Sequence, residues 1–156
     1  MVAQTGQALV PAFARLSLLA GASVGVLVAL AGCGSLKPPE SCPFGSGAAD
    51  PAAFAATFSD MTVRTAAGSP GIPGNDSELV FKKGEALELA ASGIRSTTAQ
   101  VCLVERKGGG KIVLSTSIAI RDGDVRVLFG DLPPNPYVAR VAVDGQIVRN
   151  VTFQVE

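Results

Sequence analysis

Residues 137–155 read YVARVAVDGQIVRNVTFQV, and this stretch decides the fold class. The pair Asp144-Gly145 is a strong signal for a two-residue β-hairpin turn, because both residue types tolerate the backbone angles of such a turn. On either side, apolar and polar residues alternate, as in a strand with one buried face. The pattern predicts strands over 137–143 and 147–155, with one face formed by Tyr137, Ala139, Val141, Val143, Val151, Phe153 and Val155.

The same period of two continues upstream of this hairpin, and no helical pattern longer than about eight residues interrupts it. Segment 100–106 is apolar at most positions, which predicts a central strand buried on both faces. We therefore expect an all-β domain over 55–156, a single antiparallel β-sandwich of about seven strands. Further strands are predicted at 60–65, 78–81, 86–91, 111–120 and 125–129, with Met61, Val63, Leu87, Leu89, Ala91, Val125, Val127 and Phe129 facing inward.

Residues 131–137, just before the hairpin, give a more specific indication of the type of β-sandwich. They read Asp131-Leu132-Pro133-Pro134-Asn135-Pro136-Tyr137, a leucine and a proline turn followed by tyrosine and an alternating strand. This pattern resembles the corner before the sixth strand of fibronectin type III and related bacterial Ig-like domains. The resemblance implies that the Tyr137 hydroxyl bonds back to the corner backbone, a tyrosine corner, with Leu132 as the apolar plug beneath the turn. The tryptophan of the third strand is absent, and Cys102 and Val104 stand there instead.

The N-terminal part has a different character. Residues 16–32 carry no charge, follow Arg15, and end in Leu30-Ala31-Gly32-Cys33. A basic residue, an apolar run and small residues at a cleavage site predict an export signal over 1–32. The last four residues resemble the lipobox of bacterial lipoproteins. That resemblance implies a diacylglyceryl group with palmitate-type chains on Cys33, signal-peptidase recognition of Leu30, Ala31 and Gly32, and cleavage before Cys33, which would anchor the domain to a membrane of the cell envelope.

Two other interpretations of residues 16–32 stay open. Their 17 residues reach the lower limit of a membrane-spanning helix, although five of them are glycine or serine. Cys33 could also be incidental to an ordinary secretory signal.

Removing the 32 predicted signal residues from 156 leaves 124, with 12 basic side chains against 13 acidic ones because Arg15 falls in the signal. A near-neutral chain with scattered charges has no electrostatic footprint for nucleic acid, so we expect no nucleic-acid partner. Two cysteines then remain in a compartment expected to be oxidising, which favours a Cys42–Cys102 disulfide worth roughly 3–4 kcal/mol. The alternative is a buried Cys102 thiol with Cys42 free.

Residues 33–54 are rich in proline, glycine and serine, which predicts a flexible tether. Within it, Asp50 and Pro51 suit the N-cap and first position of a short helical turn. If Cys42 pairs with Cys102, the free tether shrinks to about nine residues. The loop 66–77, rich in glycine and proline, is either a binding loop or a disordered connector.

No catalytic constellation is visible in the sequence. The chain has no histidine, which removes the common general base and the usual transition-metal ligand. The carboxylate pairs Glu85/Glu88 and Asp122/Asp124 fit solvated strand faces and turns better than acid–base catalysis, and calcium ligation by Asp122, Asp124, Asn75 and Asp76 lacks the required spacing. We expect no metal and no cofactor. The sequence favours a non-enzymatic envelope module that binds an unknown envelope protein or glycan; an accessory carbohydrate- or peptide-recognising domain and an enzyme are the alternatives.

Overall fold

The computed structural model describes residues 41–74 and 78–156. The predicted signal, the predicted lipobox with Cys33, and the loop residues Asn75 and Asp76 lie outside the described residues. The described part is all-β, as predicted. Its elements are α1 (Pro51–Ala55), β1 (Phe58–Thr65), β2 (Ile72–Pro73), β3 (Leu79–Phe81), β4 (Ala86–Gly93), β5 (Thr97–Glu105), β6 (Ile112–Ile120), β7 (Gly123–Asp131), β8 (Asn135–Val143) and β9 (Gln146–Val155).

The strands form two sheets, one of three strands in the order β1-β4-β7 and one of six in the order β2-β3-β9-β8-β5-β6. Neighbouring strands are antiparallel except β3 and β9, which are parallel. Among the described residues, seven strands have eight to ten residues, and β2 and β3 are short additions at the edge of the larger sheet.

One apolar core lies on the inward faces that the alternation predicts. From the smaller sheet it takes Met61 and Val63 on β1, Leu87 and Leu89 on β4, and Val127 on β7. The larger sheet contributes a second set of side chains, all buried: Val101, Leu103, Tyr137, Ala139, Val141, Val143, Phe153 and Val155. Burial of this set from water is the main favourable term in folding.

The Asp144-Gly145 turn is confirmed. Both residues have positive φ, 53° for Asp144 and 78° for Gly145, as a tight hairpin turn between right-twisted strands requires. The turn joins β8 to β9, with Val143 opposite Gln146. A short distance from the turn, between Val141 and Ala142, the register of the two strands shifts. Strand β9 therefore has a β-bulge close to the turn.

Tyr137 connects the corner to the core. Its side chain is fully buried and its ring stacks on Phe153 at 5.4 Å between centroids. The hydroxyl donates a hydrogen bond of 2.6 Å to the carbonyl oxygen of Pro133, four residues upstream. Leu132 is buried beside this turn, with 3% of its surface exposed. The hydroxyl thus fixes the backbone from which β8 starts.

The glycine- and proline-rich loop crosses from one sheet to the other. Its described part is bonded to the domain: the Thr65 amide donates to Ser69 at 2.9 Å, and β2 pairs with β3. A Cβ on Gly71 would lie 2.8 Å from the Phe81 ring, so only glycine fits this crossing. Over its described residues the loop is therefore fixed to β3 of the larger sheet.

Replacing Tyr137 with phenylalanine keeps the ring packing and removes one hydrogen bond. We expect Tyr137→Phe to lower the free energy of unfolding by about 1 kcal/mol at neutral pH, because the Pro133 carbonyl loses its donor. Urea denaturation measures this loss. Thr98→Val, which removes an exposed hydroxyl, is the control and should leave the midpoint unchanged.

The difference in stability between wild type and Tyr137→Phe should depend on pH. Burial, assisted by the negative charge of Glu105, raises the pKa of Tyr137 above its ordinary value. A raised pKa in the folded state stabilises the protein below the ordinary pKa, and this contribution is lost as pH rises through the folded value. The stability difference between wild type and Tyr137→Phe should therefore shrink above about pH 10. A stability difference that stays constant to high pH would contradict a raised pKa of Tyr137 in the folded protein.

Candidate functional site

The N-terminal segment is attached to the outer face of the larger sheet by a disulfide. Cys42 and Cys102 are joined at an S–S distance of 2.05 Å with their Cα atoms 6.0 Å apart, which is within the usual range for disulfides. Around the bond lies a second apolar cluster that contains Val104, Ile112 and Val138, with Phe44 packed against it. Central strand β5 is therefore buried on both faces, as predicted, because its outer face is covered by this segment.

Further contacts extend the attachment toward α1. The Asp50 amide donates to the Ile147 carbonyl at 2.9 Å, and the Gln146 side-chain amide donates to the Asp50 carboxylate at 2.7 Å. Asp50 also caps α1, since its side chain accepts from the amides of Ala52 and Ala53. These backbone bonds hold the pKa of Asp50 below its usual range.

The part of the predicted tether from Cys42 to Phe54 thus belongs to the folded domain. Composition indicated flexibility here, but the disulfide and the bonds to β9 fix this segment on the sheet. We refer to residues 42–50 as the strap.

Between the strap and the sheet lies a depression of about 240 Å³, lined by Cys42, Val104, Ile112 and the side chain of Arg140. Ligand pockets usually have about 300–1,000 Å³, so this depression is small for a ligand site.

The outer face of the smaller sheet has a different surface. Its strand registers place nine side chains in three rows across β1, β4 and β7. We call this surface the β4 face, and its rows are Arg64, Glu88, Leu128; Thr62, Ala90, Arg126; and Asp60, Ser92, Asp124. It carries guanidinium, carboxylate and hydroxyl groups around a central alanine.

Glu88 is the best-connected group on this face. Only 5% of the residue is exposed, although its side chain points outward from the sheet. Its Oε1 lies 2.8 Å from Nε of Arg64 and 3.9 Å from Nε of Arg126. A guanidinium has five N–H donors, so each arginine retains donors for another acceptor. Glu88 was expected on a solvated strand face, and that expectation is wrong because the two arginine side chains cover its carboxylate.

The opposite end of the β4 face is acidic. Ser92 donates from its hydroxyl to Oδ1 of Asp124 at 3.2 Å, and Asp60 is the cross-strand neighbour of Ser92 on β1. Between the two ends, the small side chain of Ala90 leaves a depression of about 60 Å³. That volume holds about two water molecules. The β4 face is therefore a nearly flat polar surface with the two arginines toward one end and the carboxylates of Asp60 and Asp124 at the other.

The other residues singled out in the sequence are dispersed. Glu85 accepts from the Lys82 amide at 2.8 Å within a turn, and Asp122 lies in the turn between β6 and β7. Within residues 41–74 and 78–156, no three histidine, cysteine or acidic side chains are placed to share a metal ion. The same two ranges contain no helix of sufficient length and apolarity to cross a membrane.

Comparison with known proteins gives no family. No protein-family model matches the chain, and no curated protein matches it. Solved structures with local likeness include a β-glucosidase from Listeria innocua (13% identity, TM-score 0.33), covering 62% of this chain and 16% of that one. A Pseudomonas fluorescens alkylpurine DNA glycosylase has 12% identity and a TM-score of 0.29, with 62% of this chain and 30% of that one covered. A Trichoderma reesei β-D-glucoside glucohydrolase has 15% identity and a TM-score of 0.30, with 64% of this chain and 18% of that one covered.

The chain spans less than a third of the length of each of these three proteins. At such TM-scores, the likeness carries no argument about the fold or the function of this chain.

Proposed function

We propose that this chain is an exported, lipid-anchored module of the cell envelope that binds or assembles a partner without catalysis. In this proposal residues 1–32 are the signal, Cys33 carries the lipid, and the β-sandwich lies outside the cytoplasm. The lipobox Leu30-Ala31-Gly32-Cys33 supports the anchor. The Cys42–Cys102 disulfide supports the compartment, because structural disulfides persist mainly in oxidising environments.

The spacing between anchor and strap supports a function close to the membrane. Nine positions separate Cys33 from Cys42, where the disulfide fixes the chain to the sheet. An extended chain spans at most about 3.3–3.6 Å per residue, so this connection reaches about 30 Å. The domain would then be held within roughly its own diameter of the lipid surface.

The observation that carries the binding function is the buried Glu88 between Arg64 and Arg126. The Glu88 carboxylate, in a residue that is 5% exposed, accepts a 2.8 Å hydrogen bond from Arg64 and keeps that guanidinium in place before any partner arrives, while the more exposed Arg126 lies 3.9 Å away. Pre-organised donors lower the entropic cost of binding. The chemistry of the β4 face suits an extended peptide segment of an envelope protein or a glycan strand, since both present hydroxyl, amide or carboxylate groups along a chain.

We also propose that the domain is of the fibronectin type III or Ig-like type. The strand orders β1-β4-β7 and β9-β8-β5-β6 support this proposal, since they fit the separation of a three-stranded and a four-stranded sheet in such sandwiches. The hydrogen bond from Tyr137 to Pro133 supports it independently.

The anchor is tested by Cys33→Ser. The variant cannot carry a thioether-linked lipid, so we expect unprocessed precursor and loss of the acyl mass that intact-protein mass spectrometry should find on wild-type Cys33. The control is Ser35→Ala, which removes a nearby hydroxyl and leaves the lipobox intact. Processing of Cys33→Ser at the same site, with the same membrane association as wild type, would rule out a lipoprotein.

The binding face is tested by charge reversal. We expect Arg126→Glu to lower the recovery of envelope partners, protein or glycan, after chemical crosslinking in intact cells, because it replaces donors on the β4 face with a further acid beside Glu88. Arg95→Glu makes the same charge change at an exposed loop position outside the face and should retain recovery. Equal recovery with both variants would place the binding site elsewhere.

A further inference from the structure

The described residues contain four strands at sheet edges: β1 and β7 in the smaller sheet, and β2 and β6 in the larger. An edge strand presents unpaired backbone groups, and soluble proteins usually block such edges with charges, proline, bulges or very short strands. Three of the four edges are blocked. Strand β1 carries Asp60 and Arg64, β7 carries charges and a bulge, and β2 has two residues, one of them proline.

Strand β6 has little of this protection. Its nine residues, IVLSTSIAI, contain no charge and no proline. Its pairing with β5 is continuous from Leu114 to Ile120, and the one register shift lies before Leu114. Lys111 and Arg121 stand at its two ends, outside the strand. This is a regular, uncharged edge of seven residues, and no described strand pairs with its outer backbone donors and acceptors.

The side chains of β6 are also incompletely covered. Leu114 and Ile118 pack against the core but remain partly exposed, whereas Ser117 and Ala119 are exposed on the opposite face. The apolar side chains therefore lie at the border of the core, where another strand would cover them. Burial of such apolar surface stabilises association.

We propose that β6 is a self-association surface, at which two copies of this chain pair β6 to β6 in antiparallel orientation. The pairing would extend the six-stranded sheet across a two-fold axis.

The sequence of β6 indicates that the strand pairing with this edge is β6 of a second copy. With the two-fold axis at Thr116, Leu114 lies opposite the partner's Ile118, and Ser115 lies opposite the partner's Ser117. Each apolar side chain meets an apolar one and each serine meets a serine, twice per dimer, which is the self-complementarity of a two-fold interface. The regular part of β6 that pairs in this register is 114–118. Lys111 and the partner's Arg121 would lie opposite each other, beyond this segment.

Crosslinking of the full-length protein in its membrane tests the register. In Thr116→Cys the two introduced thiols would lie across the axis, so a short bis-maleimide, to which each thiol adds, should give a covalent dimer. Ser59→Cys places an exposed thiol on the charged edge strand β1 and controls for random collision. Preferential dimer formation by Thr116→Cys supports the proposal. Equal yields from both variants, or capture of a different protein by Thr116→Cys, overturn it.

A charge variant tests the interface without crosslinking. Ser117→Lys changes an exposed residue, so its melting temperature should match wild type at a dilution where both are single chains. At higher concentration, each dimer of the variant would carry two lysines at the interface. We expect light scattering in mild detergent to give the mass of two chains for wild type, and self-association roughly tenfold weaker for Ser117→Lys. A wild type that has the mass of one chain at micromolar concentration, or a Ser117→Lys dimer as stable as wild type, contradicts the proposal.

Discussion

The disulfide between Cys42 and Cys102 is the constraint on which the arrangement of this domain depends. Strand β5 is apolar on both faces, with Val101 and Leu103 in the main core and Cys102 and Val104 on the outer face. Two sheets alone would leave that outer face in water. The disulfide holds the strap over it, closes the second apolar cluster, and leads the chain into α1 and β1. The strap covers the outer face of the larger sheet, whereas no described segment covers the β4 face.

Much of the fold was predictable because its signals are local. The Asp144-Gly145 turn, the alternation in β8 and β9, and the Asp50 cap depend on neighbours a few residues apart. The strap was predictable only through the expected Cys42–Cys102 disulfide, which already implied a shorter free tether. Its composition is that of a linker, and what orders it is a bond to a residue 60 positions away together with hydrogen bonds to β9. The described part of the 66–77 loop is ordered for a similar reason, because Gly71 packs against Phe81 on another strand.

The candidate site on the β4 face could not be predicted from the sequence for the same reason. Glu88 alone looked like an exposed strand residue, because its neighbours in sequence are uninformative. Its burial comes from Arg64 on β1 and Arg126 on β7, which reach it only once the registers of three strands are set. The open edge at β6 likewise depends on strand order. The uncharged sequence was visible in the chain, but its position at an edge was not.

The free energy of unfolding of the full chain in urea, before and after reduction, tests the role of the disulfide most directly. Reduction should lower it by roughly 3–4 kcal/mol, because the unfolded chain gains the freedom of an open loop. The double variant Cys42→Ala, Cys102→Ala has no such bond to lose and should respond little to the same reductant. If wild-type stability is unchanged by reduction, the strap is held by its other contacts and the disulfide is not the constraint described here.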